Sequence, residues 1–77
     1  MTRTFQDDEL LLWETYPAAP PFGARRGARI MFQCLTDPSR RARALEHDGD
    51  RAGAASVLVG ASQKELLELL RRSAPLS

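Results

Sequence analysis

The sequence predicts an α+β fold, a small curled antiparallel sheet of three to four strands packed against one C-terminal helix. Three observations lead there. Residues 9–16 and 28–36 alternate side chains with the period of two that a pleated strand requires. Residues 62–73 carry leucines at helical spacing behind a capping signature. A chain of 77 residues has room for one core only, so sheet and helix must share it, and residues 1–77 are read as a single domain.

The elements follow in order. Residues 2–6, "TRTFQ", form a short strand with Phe5 as its inward anchor, and Asp7 and Asp8 after it are turn residues. In residues 9–16, "ELLLWETY", Leu11, Trp13 and Thr15 fall on one side and Leu10, Leu12, Glu14 and Tyr16 on the other, so both faces are partly apolar. The two strands make a hairpin. "PAAPPFGARRG", residues 17–27, holds three of the five prolines and two of the five glycines and is the main loop. It leads into "ARIMFQCLT", residues 28–36, where Ile30, Phe32 and Cys34 alternate with Met31, Gln33 and Leu35, the first set facing the core.

Local rules conflict in "DPSRRARALEHD", residues 37–48. Asp37 as N-cap, Pro38 at the first helical position and Gly49 beyond the end would frame a helix, but that helix would show the core little more than Ala42 and Leu45. With Asp37, Pro38 and Ser39 as a turn, residues 40–47 instead return as a strand, Arg41, Arg43 and Leu45 on one side and Ala42, Ala44 and Glu46 on the other. The thin apolar stripe favours the strand. "DGDRAGAASVLVGA", residues 48–61, fits a loop or a single helical turn in which Val57, Leu58 and Val59 pack. Ser62 and Glu65 then form a capping box, Leu66, Leu67, Leu69, Leu70 and Ala74 recur at helical spacing, Arg71 and Arg72 suit the negative end, and Pro75 stops a helix over 63–73.

The order "TFQDDELLLWE", a Gly-containing loop into "RIMF", "RRARALE" and "SQKELLELLRRSAP" resembles a class of small uncharacterised bacterial domains. These have an aromatic strand ending in Trp-Glu, an arginine-rich hairpin and a C-terminal Ser-x-x-Glu-Leu helix. In that pattern a Pro and a Trp fall between the double arginine and the helix, where this chain has "DGDRAGAASVLVGA". The resemblance implies a small curled sheet with one helix and brings no activity with it.

Composition narrows the functional classes. A net charge of +1 with 43% hydrophobic residues lies outside the signature of disorder. Cys34 is the only cysteine, so no internal disulfide forms, and Cys34 with His47 falls short of a zinc ligand set; no metal and no cofactor are expected. His47 stands between Glu46 and Asp48 as a solvated side chain, and Cys34 alternates in phase with core residues as a buried thiol. The chain therefore lacks a nucleophile, base and orienting group, and no enzyme is expected. "FGARRGAR" leads into a strand rather than a helix, which removes the phosphate-loop reading. No apolar run approaches 18 residues and the N-terminus has no apolar leader, so the expectation is a cytoplasmic chain without membrane contact.

Two surfaces remain. Residues 23–45 hold six arginines against one acid; Arg25, Arg26 and Arg29 at the start of the hairpin and Arg40, Arg41 and Arg43 on its return could share an edge and track a nucleic-acid phosphate backbone. Against that, the pI is only about 8.0, and arginines along an exposed strand also protect its edge without any ligand. The second surface is apolar: Leu10, Leu12 and Tyr16 with Leu67 and Leu70 are candidates for a subunit interface, since one thin sheet and one helix leave apolar side chains over. The expected function is a small non-enzymatic protein-interaction module, a homo-oligomer or an accessory to a larger assembly, with nucleic-acid binding as the runner-up.

Overall fold

The computed structural model describes residues 1–20, 22 and 25–76. It is α+β, with elements in the order β1 (Arg3–Gln6), β2 (Leu12–Ala18), β3 (Arg29–Cys34), β4 (Arg43–Glu46), α1 (Arg51–Gly60), α2 (Gln63–Arg72) and β5 (Ala74–Pro75). The strands form one antiparallel sheet in sequence order, β1-β2-β3-β4-β5. Register follows the alternation: Trp13 stands opposite Phe5 and Cys34, and Thr15 opposite Arg3 and Phe32. Phe5, Trp13, Ile30, Phe32 and Cys34 are thereby buried on one face, with Phe5 and Phe32 edge to face at 6.1 Å. Both helices cover this face. Ala54 and Leu58 of α1 and Leu66 and Leu70 of α2 complete the core, while Leu11, Leu45, Leu67 and Leu69 pack at its margin. Thr15, fully buried at the centre of the sheet, has a hydroxyl without a hydrogen-bond partner among the described residues.

The sheet has one strand more than the upper expectation and the fold one helix more. Residues 48–61 are neither a loop nor a single turn, because α1 occupies 51–60. Asp50 caps it by accepting from the Gly53 N–H at 2.8 Å, and Ala54 and Leu58, one turn apart, drop fully into the core. Val57 and Val59 point outward instead. After α2 the chain does not simply stop: Ala74 pairs with Ala44, Pro75 with Arg43, and Leu76 N–H donates to the Ala42 carbonyl at 2.8 Å.

The strand reading of residues 40–47 survives for Arg43–Glu46, while Asp37–Arg40 make a turn in which Arg40 N–H donates to the Asp37 carbonyl. β2 runs through Pro17, which the sequence places in the loop; β1 pairs no further than Thr15, so the missing N–H of Pro17 costs nothing on that side. The rest of the expected loop over 17–27 falls partly on residues 21, 23 and 24, outside the described residues. Among the described residues, no helix is long and apolar enough to cross a membrane.

Candidate functional site

Two surfaces stand out once the layers are placed. The first is the back of the sheet, where the helices pack no core residues and only Arg51, at the start of α1, reaches a hollow lined by Glu14, Tyr16 and Gln33. Its residues are those that alternate with the core: Thr4 and Gln6 from β1, Leu12, Glu14 and Tyr16 from β2, Arg29, Met31 and Gln33 from β3, Ala44 and Glu46 from β4. Tyr16, Met31, Ala44 and Ala74 lie in one row across four strands, since they are successive cross-strand partners. Leu35 follows β3 at the end of the face beside Leu12, its N–H donating to the Leu12 carbonyl, and the two are 46% and 41% exposed. Arg29 and Glu46 face each other across β3 and β4 at the opposite margin, which leaves Glu14 as the charge in the middle of the face.

Leu10 lies beyond this end of the sheet. It belongs to the β1–β2 turn, where Leu10 N–H donates to the Asp7 carbonyl and Asp7 N–H to the Leu11 carbonyl. The turn requires a left-handed residue before β2, and Leu10 takes it at φ 66° with its side chain 72% exposed. Glycine or asparagine normally fills such a position; a leucine there is strained and mostly exposed.

The second surface is a cleft of about 440 Å³ at the other side of the same turn, between it, α2 and the β4–β5 edge. Trp13, Leu67, Leu70 and Pro75 supply its apolar lining, and Asp7, Asp8 and Glu9 face Arg40, Arg41, Arg43 and Arg71 across it. Trp13 is only 3% exposed, and its position is fixed by Asp7. One Asp7 oxygen accepts from the Trp13 indole N–H at 2.8 Å, and the other accepts from the N–H groups of Glu9 and Leu11 at 2.8 and 2.9 Å. Partial burial pulls the Asp7 carboxyl upward, but these three donors and the nearby Arg40 charge outweigh it and hold the group below the ordinary aspartate value.

Counter-charges within the cleft are unevenly shared. Arg71 pairs with Asp8 and Glu68, and the Asp8 contact raises its pKa further. Arg40 pairs with Glu9 and Asp37 at 3.5 and 3.6 Å. Arg43 is half-buried and donates from Nε to the Ser73 hydroxyl at 2.8 Å and from Nη2 to the Ser73 carbonyl, neither of them a carboxylate. Arg41 is exposed and, among the described residues, forms no ion pair. Arg41, just before β4, and Arg43, its first residue, thus put two guanidinium charges on this wall without an acidic partner among the described residues.

Comparison with known proteins adds no relative: no family model, curated protein or solved structure matches the chain. The functional reading rests on geometry.

That geometry divides the sequence-predicted residues differently from the expectation. The six arginines do not share an edge. Arg29 pairs with Glu46 and Arg43 with Phe32, so Arg25, Arg26 and Arg29 lie at one end of the β3–β4 hairpin and Arg40 and Arg41 at the other, about 20 Å apart at strand rise. Arg29 also projects from the back face, whereas Arg43 lies on the helix side. Arg26 instead pairs with Asp48 at 3.0 Å, and Arg25 is exposed. β5 covers β4 at Arg43 and Ala44, so Arg43 does not lie on an open edge, whereas Leu45 and Glu46 have no partner in β5. Of the interface candidates, Leu12 and Tyr16 belong to the back face, Leu10 stands exposed in the β1–β2 turn, Leu67 lines the cleft, and Leu70 is buried in the core at the cleft floor. Sequence reasoning did not find the Asp7–Trp13 bond or the Asp8–Arg71 pair. The first has a local signal in an Asx turn ahead of a tryptophan; the second joins residues 63 apart and has none. Among the described residues, no group of His, Cys, Asp and Glu is placed to hold a metal ion.

Proposed function

We propose that the chain is a self-associating protein-interaction module whose subunit interface is the back of its sheet. The observation that carries this is the apolar row of Tyr16, Met31, Ala44 and Ala74 across four strands of the back face, with Glu14 and Arg51 beside the Tyr16 end of it. Interface centres are depleted in charge and enriched in aromatic and methionine side chains, and Tyr16 and Met31 sit centrally. Two antiparallel sheets stack face to face at a spacing of about 10 Å, which would give a dimer layered helix, sheet, sheet, helix. A stable dimer buries about 800 Å² per partner, roughly a sixth of the 4979 Å² surface of this chain. A domain of this size also gains little from its own core, so a second copy supplies burial that the single chain lacks.

The expected outcome in sedimentation velocity is a mass that rises between micromolar and near-millimolar protein, and a Met31→Glu variant that stays monomeric at both. Circular dichroism on the same variant checks that the fold is intact. A wild-type chain that is monomeric at every concentration overturns the reading.

A further inference from the structure

We propose that the cleft between the β1–β2 turn, α2 and the β4–β5 edge is a second, separate binding site, one that takes an acidic, partly apolar peptide segment of another protein. Its volume of about 440 Å³ falls within the range of ligand pockets and suits a few side chains. The charge arrangement names the ligand. Arg40 and Arg71 are neutralised by acids of this chain, whereas Arg41 and Arg43 are not, among the described residues. Arg43 is held by Ser73 through Nε and Nη2, so its guanidinium is already oriented before any ligand arrives and one nitrogen, Nη1, remains to donate. A carboxylate on the β4 wall would meet Arg41 and Arg43 together. Leu67, Leu70 and Pro75 beside them give an adjacent apolar side chain its place.

The same features disfavour a polyphosphate. The opposite lip is Asp7, Asp8 and Glu9, which repels a chain of closely spaced negative charges but leaves room for one carboxylate on the far wall. Trp13 is 3% exposed and offers no ring face for a base to stack on.

The position of Trp13 also provides the readout, because it is the only tryptophan in the chain and lines the cleft. An acetylated, amidated peptide with a single glutamate flanked by leucines is titrated into the full chain, followed by tryptophan fluorescence and by calorimetry. Saturable binding is expected, weakened at least about tenfold when glutamine replaces glutamate in the peptide and by a similar factor in Arg41→Gln. Arg25→Gln, at the far end of the hairpin, leaves it unchanged. Arg41 is off the back face, so Arg41→Gln also leaves the sedimentation behaviour unchanged, which separates failure of this site from failure of the subunit interface. No saturable signal by either method, equal affinity for the two peptides, or tighter binding of a mixed-sequence oligonucleotide or inorganic phosphate at Arg41 overturns the proposal.

Discussion

Two single residues carry more of this molecule than their size suggests. Leu10 holds a left-handed backbone that costs a leucine about 1 to 2 kcal/mol and leaves its side chain in water. Leu10→Gly should therefore raise the stability of the dilute chain by about 1 kcal/mol in urea titrations. A loss of stability would mean that the leucine packs within its own chain. Asp7 is the second. Its carboxyl is depressed in the folded chain, so its stabilising contribution is in place above the ordinary aspartate pKa near 3.8 and drains away as pH falls through the lower folded value. Asp7→Asn should cost about 1 to 3 kcal/mol at pH 7, and its urea midpoint should fall less than that of wild type between pH 5 and 2. Both roles were half legible. The sequence marks Asp7 and Asp8 as turn residues, but a turn that ends on leucine rather than glycine gives no warning of its φ.

At the scale of elements, legibility tracked the strength of local signals. β2, β3 and α2 announce themselves, by period-two alternation and by a capping box in which Ser62 and Glu65 exchange bonds at 3.0 and 3.1 Å. α1 does not. Its ten residues include Gly53 and Gly60, and it buries only Ala54 and Leu58, a pattern too sparse to separate from a loop. Asp50, which caps it, is a residue type that turns favour equally. Gly53 has a tertiary reason: a Cβ there would come within 2.9 Å of His47 Nε2, so the imidazole lies where a side chain would project. Gly53→Ala should then gain less than the roughly 1 kcal/mol that alanine gives in a helix, and the full amount should appear in the His47→Ala background. A double-mutant cycle in urea reads the difference; additive effects would show that His47 moves aside freely. β4 was legible in kind but not in surroundings, because the strand that covers it follows two helices and contributes only Ala74 and Pro75.

At the scale of the molecule, the sheet follows the chain from one edge to the other, and this ordering sets where the surfaces fall. The sequence located the basic middle third but not its division, since a hairpin puts the starts of its two strands at opposite ends and alternate residues on opposite faces. Placing β1 and β5 at opposite edges has a mechanical consequence as well. Tension drawn through the two ends of the domain would act across the strands, along the ladder bonds, and those bonds would open singly from each margin instead of resisting together in shear. Arg3, whose guanidinium donates to the Leu58 and Ala61 carbonyls, ties the first margin to the corner between the helices, and Arg43, which donates to the Ser73 hydroxyl and carbonyl, ties the last beside the two-residue β5 and the Leu76 bond. Each margin thus hangs on a single arginine, and a pull would meet these two clasps one after the other, an arrangement poorly fitted to bear a load in series.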